Sequence, residues 1–255
     1  MTGSDTEGRL GVRVTFLGHA TALIEMDGTR LLTDPVLRRR VAHLRREQQV
    51  DRDAITQVDA VLISHAHMDH LDRPSLATID PRALMVAPAA AARLLGKRQV
   101  IQVAPGSRVE VGHLTIDVTP ADHDGRRFPV GRPFPAVGYR ISGTRSVYFA
   151  GDTGLFDGMA DIGKAGVDVA LLPVSGWGPK LPPGHLSALD AARALRMLTP
   201  KVAVPIHWGT LHTPMRRART AEDDAAAPEE FARRAAELAP EVRVVIIPPG
   251  GTVDL

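Results

Sequence analysis

The chain has 255 residues, 44% of them hydrophobic, and a formal net charge of +2 at pH 7. This composition predicts a soluble globular protein, and the small net charge gives no support for nucleic acid as a partner. The absence of cysteine excludes disulfides and thiolate metal ligands. No apolar run reaches the roughly 18 to 20 residues of a membrane span, and the first residues carry no secretory signal pattern. We therefore expect a cytoplasmic protein with no integral membrane segment.

Short runs of β-branched and apolar residues, separated by glycine, proline and aspartate turn signals, predict strands along most of the chain. In the first half the predicted strands are residues 12–17, 22–26, 30–33, 60–63, 84–86 and 100–103. In the second half they are residues 114–118, 136–141, 146–149, 169–172, 202–206 and 242–247.

Two helices are predicted in the second half of the chain. The first begins at Ser187, where Ser187 and Asp190 form a capping-box pattern ahead of residues that share an apolar face. The second covers residues 228–238, with Pro228 in its first turn and Phe231 on its buried stripe. Strands mixed with helices in both halves predict an α/β (α+β) fold, a four-layer αββα sandwich in which two mixed β-sheets pack face to face with helices outside.

The distribution of these elements predicts a single domain over residues 11–255, preceded by a flexible N-terminus over residues 1–10. The segment 37–57 is charged and has no strand pattern. It is therefore a short helix or an inserted loop, and its composition suits a surface cover over a functional site.

The segment 64–70 reads Ser-His-Ala-His-Met-Asp-His and follows a strand-like apolar run. Imidazole and carboxylate groups hold zinc, iron or manganese without thiolates. His65 and His67 can point toward one ion, while Asp69 and His70 can address a second ion nearby. Four donors cannot complete two coordination shells, so further ligands must come from other segments. Three candidates follow other predicted strands: His123, Asp152 and His207.

These motifs resemble those of the metallo-β-lactamase fold superfamily. Within it, the chain is most similar to the branch of the N-acylphosphatidylethanolamine-hydrolysing phospholipase D enzymes and the ascorbate-phosphate lactonase-like proteins. Besides the histidine cluster, the matching segments are Phe-Leu-Gly-His-Ala-Thr at 16–21, Leu-Thr-Asp-Pro at 32–35, Phe-Ala-Gly-Asp-Thr-Gly at 149–154 and Ile-His-Trp-Gly-Thr at 206–210.

The resemblance implies two divalent metal ions, each with three ligands of its own and one bridging carboxylate shared between them. The first ion has His65, His67 and His123, the second has Asp69, His70 and His207, and the bridge is Asp152. A hydroxide that bridges the ions is then the nucleophile. Zinc is the expected metal, with manganese and iron as alternatives, because all three accept nitrogen and oxygen ligands.

The catalytic residues implied by the resemblance are Asp69 and His185, the latter as a proton donor or a contact to a phosphoryl oxygen. His19, Arg126 and Arg127 are the candidate substrate-binding residues. His19 can instead orient a metal ligand, and the two arginines suit an anionic group, since a guanidinium binds phosphate or carboxylate oxygens in pairs.

The predicted activity is hydrolysis of a phosphodiester or another anionic phosphorylated small molecule. Two alternatives stay open at this point. One is a lactonase that acts on a phosphorylated or carboxylated lactone, and the other is a non-catalytic metal-binding regulatory module. The sequence pattern does not indicate an oligomeric state.

Overall fold

The computed structural model of the chain describes residues 11–46, 48–51, 53–127, 134–175, 181–212 and 221–255. The predicted flexible N-terminus, residues 1–10, lies outside the described residues. Across the described part, two seven-stranded mixed sheets pack together, with helices outside and one small additional sheet. This is the four-layer αββα sandwich that the sequence predicts.

The first large sheet carries the N-terminal strands and one strand from the C-terminus. Its members are β1 (Val12–Gly18), β2 (Thr21–Met26), β3 (Thr29–Thr33), β6 (Ala60–Leu62), β7 (Leu84–Pro88), β8 (Val100–Val103) and β17 (Thr252–Asp254). The spatial order is β17-β1-β2-β3-β6-β7-β8. The short helices α1 (Arg73–Leu76) and α2 (Ala89–Ala92) follow β6 and β7.

The second large sheet is built from the middle and the end of the chain. Its members are β9 (Arg108–Val111), β10 (Leu114–Asp124), β11 (Pro135–Ser142), β12 (Ser146–Phe149), β13 (Val169–Pro173), β14 (Val202–Ile206) and β16 (Arg243–Val244). The spatial order is β16-β14-β13-β12-β11-β10-β9. The helices that accompany this sheet are α3 (Met159–Lys164), α4 (Ala188–Leu198) and α5 (Ala221–Leu238).

Alternate side chains of the first sheet enter two different hydrophobic cores. On β2, Ile24 packs into the core between the two sheets, whereas Leu23 packs into a second core with residues of α1 and α2. On β6, Leu62 packs into the core between the sheets and Val61 packs into the second core. Because a strand points successive side chains to opposite faces, a sheet covered on both faces needs apolar residues at every position. This is why the predicted strands read as continuous apolar runs.

The strand directions bring one set of strand ends together. In the first sheet β1, β3 and β6 run the same way, and in the second sheet β10, β12 and β14 do so. A backbone hydrogen bond from Val137 N on β11 to Ser64 O after β6, 3.0 Å long, joins the sheets near these ends. The loops that follow all six strands therefore open onto one edge of the sandwich.

The charged segment 37–57 contains strands that its sequence does not predict. β4 (Arg40–Val41) and β5 (Leu44–Arg46) form a hairpin that pairs with β15 (Leu211–His212), and a 3₁₀ turn follows at Asp53–Ile55. Arg46 is buried there, and its guanidinium donates to Leu17 O and Val36 O, each at 2.7 Å. Backbone pairing and this buried arginine hold the β4–β5 hairpin in place without the apolar alternation on which strand prediction depends.

Three element boundaries differ from the sequence predictions. β10 extends to Asp124, so His123 lies in the strand and not after it. The predicted strand 242–247 shortens to β16, because the next ladder bond would need an N–H at Pro205, which has none. α5 begins at Ala221, so Pro228 lies inside the helix and not in its first turn. The alanine-rich residues before Pro228 favour helix strongly enough to tolerate the one missing hydrogen bond.

Within the described residues, no helix combines the length and the apolar character needed to cross a membrane.

Tyr139 is a buried hydrogen-bond link between the sheets, and its loss should destabilise the fold. From β11 its hydroxyl donates to Ile63 O at 2.6 Å, with Val86 O at 3.2 Å. We expect Tyr139→Phe to lower the free energy of unfolding by about 1–3 kcal/mol, because a buried carbonyl loses its partner. Urea denaturation followed by circular dichroism measures this change.

Tyr148→Phe is the matched control for this experiment. Tyr148 lies on the neighbouring strand β12 and is equally buried, but its hydroxyl faces the Thr119 side chain of the same sheet and not a carbonyl of the other sheet. Its removal should leave the midpoint nearly unchanged. Equal destabilisation by the two substitutions would contradict the role given to the Tyr139 hydroxyl.

Candidate metal centre

The histidine-rich loop after β6 is held in place by backbone hydrogen bonds on both sides. Ile63 N donates to Val86 O at 2.9 Å, before the loop turns away from the sheet. His70 N and Leu71 N then both donate to His67 O, at 3.2 and 2.8 Å, which closes a tight turn. This turn places the side chains of His65, His67, Asp69 and His70 at the edge where the strand ends meet.

The first group of candidate ligands contains three histidines whose ring nitrogens converge. His65 Nε2 lies 2.9 Å from His67 Nδ1, and His123 Nε2 lies 3.2 Å from the same atom. A tetrahedral zinc with Zn–N bonds of about 2.0–2.1 Å would separate its ligand nitrogens by about 3.3 Å. The spacing of the three nitrogens is therefore close to that of a shared metal ligand set.

The second group lies beside the first and includes a carboxylate. Ligand atoms of His19, Asp69, His70 and His207 all fall within 4.8 Å of one another. Three of these residues were expected to share an ion, and His19 joins them from the turn between β1 and β2. His19 Nε2 lies 3.1 Å from Asp69 Oδ2, and its ring lies 3.8 Å, centroid to centroid, from that of His207.

Asp152 lies between histidines of the site and is almost completely buried. His70 Nε2 lies 3.2 Å from its Oδ2, His207 Nε2 lies 3.2 Å from its Oδ1, and His185 Nε2 lies 3.3 Å from its Oδ2. Gly151, which precedes it, has φ +60°, and a Cβ there would lie 2.6 Å from Ser64 Cβ. Glycine thus allows the loop after β12 to approach the histidine loop closely enough to insert the carboxylate.

In three of the histidines, a contact between Nδ1 and an oxygen atom determines that Nε2 faces the centre. His70 Nδ1 lies 2.8 Å from Asp34 Oδ2, His123 Nδ1 lies 2.9 Å from Gly184 O, and His207 Nδ1 lies 2.7 Å from Ser175 O. An Nδ1–H that donates to an oxygen leaves Nε2 with a lone pair that can bind a metal. Each of these rings is therefore oriented for coordination through Nε2.

Asp34 contacts a candidate ligand, although the sequence pattern gave it no role. It is fully buried and accepts hydrogen bonds from Ser64 N at 2.7 Å and from Ser64 Oγ at 2.5 Å, besides its contact with His70. Its φ of +32° is unusual for a residue other than glycine. The available signal was its place in the Leu-Thr-Asp-Pro segment at the end of a predicted strand.

Three residues other than glycine at this edge have positive φ values. Besides Asp34, His19 and His207 have positive φ values, +57° and +64°. The two are tied together, since His207 N donates to His19 O at 2.7 Å. Strained non-glycine residues persist only where the surrounding structure holds them, and they cluster at functional sites.

The histidines of the first group are neutral. Burial, together with the neighbouring His70 and His123, holds the pKa of His65 well below its ordinary value. Burial also lowers the pKa of His123 to about 4 and lowers that of His67. Neutral imidazole is the form that coordinates a metal, so these rings need not lose a proton to bind one.

The carboxylates of Asp152 and Asp69 are ionised although both are largely removed from solvent. Burial alone raises the pKa of Asp152, but His207 and His70 outweigh it and hold that pKa well below the ordinary value. Asp69 behaves in the same way, because His70 and His19 outweigh its burial. Two buried negative charges at one edge therefore require positive neighbours.

The donor set fits divalent metal ions. Among the described residues, Asp152 Oδ1 and His207 Nε2 are buried and make no hydrogen bond, although the two atoms lie 3.2 Å apart. Such atoms are costly to bury unless another group satisfies them. Imidazole nitrogen and carboxylate oxygen are the ligands that zinc, manganese and iron accept.

The remaining sequence candidates lie around this centre in different ways. His185 is half-buried and contacts Asp152, as described above. The Arg126 guanidinium pairs with Asp124 at 2.5 Å, and the backbone of Arg126 hydrogen-bonds the His67 ring. Arg127 Nη1 donates to Ala66 O and to Leu71 O, each at 3.0 Å. The structure thus brings His19 and His185 into the cluster and sets both arginines beside the histidine loop.

Comparison with known proteins agrees with this geometry. Residues 29–208 match the family model described as the beta-lactamase superfamily domain. The chain is 36% identical to a UPF0173 metal-dependent hydrolase of Methanopyrus kandleri, over 95% of this chain and all of that protein. It is 35% identical to a UPF0173 metal-dependent hydrolase of Opitutus terrae, over 96% of this chain and all of that protein.

A solved structure shares the fold over nearly the whole length. It is that of Igni18, described as a novel metallo hydrolase from the hyperthermophilic archaeon Ignicoccus hospitalis, with a TM-score of 0.72 and 28% identity. The match covers 96% of this chain and 98% of that one. The chain therefore belongs to the metallo-β-lactamase fold superfamily and is a metal-dependent hydrolase.

Proposed function

We propose that this hydrolase uses two divalent metal ions, zinc in the first instance, to cleave a phosphodiester or another anionic phosphorylated small molecule. The observation that carries the proposal is a group of three histidines beside a second group of four donor residues, with the buried Asp152 carboxylate against them. His65, His67 and His123 would hold one ion, and Asp69, His70 and His207 the other, with Asp152 shared between them. When bound, two such ions lower the pKa of a water molecule and polarise the substrate.

The chain's own residues supply orientation and a proton. Asp34 orients His70 through Nδ1, and His19 holds one oxygen of Asp69, which leaves the other oxygen for the centre. His185 keeps Nδ1 near Pro182 O and Pro183 O, at 3.2 and 3.3 Å, so its Nε2 faces the site. Although burial lowers the pKa of His185, its contact with Asp152 raises the pKa overall. A protonated His185 can protonate the leaving group.

The lactonase alternative uses the same activated water on a carbonyl carbon, and a regulatory module would bind the ions without turnover. A side-by-side assay separates the three functions. We would purify the protein without added metal, measure bound metal by elemental analysis, and assay bis(4-nitrophenyl) phosphate and a simple lactone with zinc, manganese and iron. Metal-dependent turnover of the diester supports the proposal, turnover of the lactone alone supports the alternative, and bound metal with no turnover supports the module.

Removal of the shared carboxylate should release metal and abolish turnover together. We expect Asp152→Asn to lose at least one of the two bound ions and to lower kcat/KM by more than about 100-fold. Loss of a group that merely orients a metal ligand lowers activity by about 10–100-fold, and loss of a ligand should lower it at least as much. Elemental analysis and diester hydrolysis measure the two effects. The exposed Asp157→Asn is the matched control and should change neither. Full metal content in Asp152→Asn would contradict the bridging role.

Substitution of His185 should separate metal binding from catalysis. We expect His185→Ala to retain both ions and to lose about 100-fold in kcat, the usual range for loss of a general acid. The loss should shrink for a substrate whose leaving group needs no proton, such as 4-nitrophenolate, compared with an alkoxide leaving group. A fall in metal content would instead identify His185 as a ligand.

Substitution of His19 decides whether it orients a ligand or contacts substrate. Its side chain is 3% exposed and contacts Asp69, which favours the orienting role. We therefore expect His19→Phe to weaken metal affinity by about 10–100-fold, with little change in KM once metal is saturating. Metal competition with a chromogenic chelator measures the affinity. An increase in KM at unchanged metal affinity would support substrate binding instead.

A further inference from the structure

A cavity of about 480 Å³ is lined in part by residues of the histidine loop and by residues that follow it directly. Met68, which stands between His67 and Asp69 in the chain, forms part of its lining. Asp72, two residues after His70, forms another part. The cavity therefore shares its wall with the candidate metal centre, and a molecule seated in it would lie next to the ligand-bearing backbone.

The charge of this cavity is positive. Its lining contains Arg38, Arg73 and Arg127 against one acidic residue, Asp72. We call this cavity the arginine pocket. Among its other lining residues, Val41 and Met68 are apolar and offer no counter-charge. Three guanidinium groups around one small cavity repel one another, so their assembly needs either compensation or a ligand.

One arginine is compensated and fixed in place. Arg38 Nε and Nη2 donate to Asp72 Oδ2 and Oδ1 at 2.7 and 2.6 Å, a bidentate pair. Asp72 is itself held, because it caps α1 and accepts from Ser75 N at 3.0 Å and from Ser75 Oγ at 2.5 Å. Arg38 and Asp72 thus form a rigid, nearly neutral side of the pocket.

The other two arginines keep unsatisfied charge. Arg127 uses Nη1 on the carbonyls of Ala66 and Leu71, which leaves the rest of its five N–H donors for other partners. Arg73 makes no hydrogen bond or ion pair with any residue in the described ranges and lies exposed at the pocket. Burial lowers the pKa of Arg127, and Arg73 lowers it further although Asp72 opposes this.

We propose that the arginine pocket binds a second anionic group of the substrate, a carboxylate or phosphoryl group remote from the bond that is cleaved. Both groups present planar or tripod oxygens that match a guanidinium fork. This inference rests on the proposed function, since it assigns the reacting group to the metal centre and the remote group to the pocket. The substrate class is then a small molecule with two separated negative charges.

The test uses phosphonates that differ only at the end remote from the metal-binding group. Three series with matched alkyl chains of increasing length would be titrated into the metal-loaded protein by calorimetry: plain alkylphosphonates, ω-carboxyalkylphosphonates and α,ω-bisphosphonates. We expect one of the charged series to bind at least about tenfold more tightly than the plain series at its best length, as for a charged hydrogen-bonded contact. Which charged series prevails distinguishes carboxylate from phosphoryl recognition.

Arg73→Met should abolish this preference, because it removes a guanidinium that would bind the remote charge. The variant should still fold, since the Arg73 side chain is exposed and makes no hydrogen bond in the described ranges. Arg39→Met is the matched control, since Arg39 is an exposed neighbour of Arg38 outside the lining, and it should preserve the preference. Equal affinity of all three series at every chain length in the wild type would overturn the proposal. So would a preference that survives in Arg73→Met.

The failure of this inference and that of the proposed function are distinguishable. Two bound ions without any preference for a remote charge would refute the arginine pocket and leave the proposed function intact. If the wild type binds no metal, glutarate is titrated into the chelator-treated protein. Binding that is lost in Arg73→Met would then retain the pocket as an anion site while the proposed function falls, and absence of binding would refute both.

Discussion

The burial of the Asp152 carboxylate is the interaction on which the candidate centre depends. An ionised carboxylate at this depth costs several kcal/mol unless positive groups surround it. Three histidine Nε2 atoms lie within 3.3 Å of its oxygens, yet Oδ1 makes no hydrogen bond. Hydrogen bonding alone therefore does not satisfy the group, and divalent cations would do so. The other residues of the site position the groups that stabilise this buried charge.

That arrangement explains features that are unfavourable in isolation. The positive φ angles of His19 and His207 are costly, but the hydrogen bond from His207 N to His19 O holds both turns against each other. Asp34 is likewise buried, which raises its pKa, and its contacts with Ser64 and His70 offset part of that effect. Each strained or buried polar residue supports the orientation of a neighbouring ring, so loss of one contact weakens several candidate ligands at once.

The sequence predicts most of the strands and the sandwich, because these follow from apolar patterning and from local motifs. Strand pairing with partners that are distant in the sequence cannot be predicted in this way. The β4–β5 hairpin gains its order from β15 and from the buried Arg46, none of which is visible in a local window. The short β16 reflects a proline on its neighbour, at Pro205. Helix α5 continues through Pro228 because the preceding alanines favour helix.

The candidate site shows the same division between local and distant information. His65, His67, Asp69 and His70 could be grouped from their spacing, since four chemically related side chains occupy one short loop. Asp34 could not be given its role in this way, because its link to His70 depends on the alignment of β3 beside β6. The partners of Arg127 are backbone carbonyls of Ala66 and Leu71, and a sequence pattern carries no information on such contacts.

These carbonyl contacts connect the arginine pocket to the backbone that carries the candidate ligands. Arg127 donates hydrogen bonds to Ala66 O, between two candidate ligands, and to Leu71 O, directly after His70. The next residue, Asp72, lines the pocket and caps α1. An anion that draws the Arg127 guanidinium outward would pull on the backbone that positions the ligands. If the pocket binds a remote charge as proposed, recognition of that charge and the geometry of the candidate metal centre would both depend on the backbone of residues 65–72.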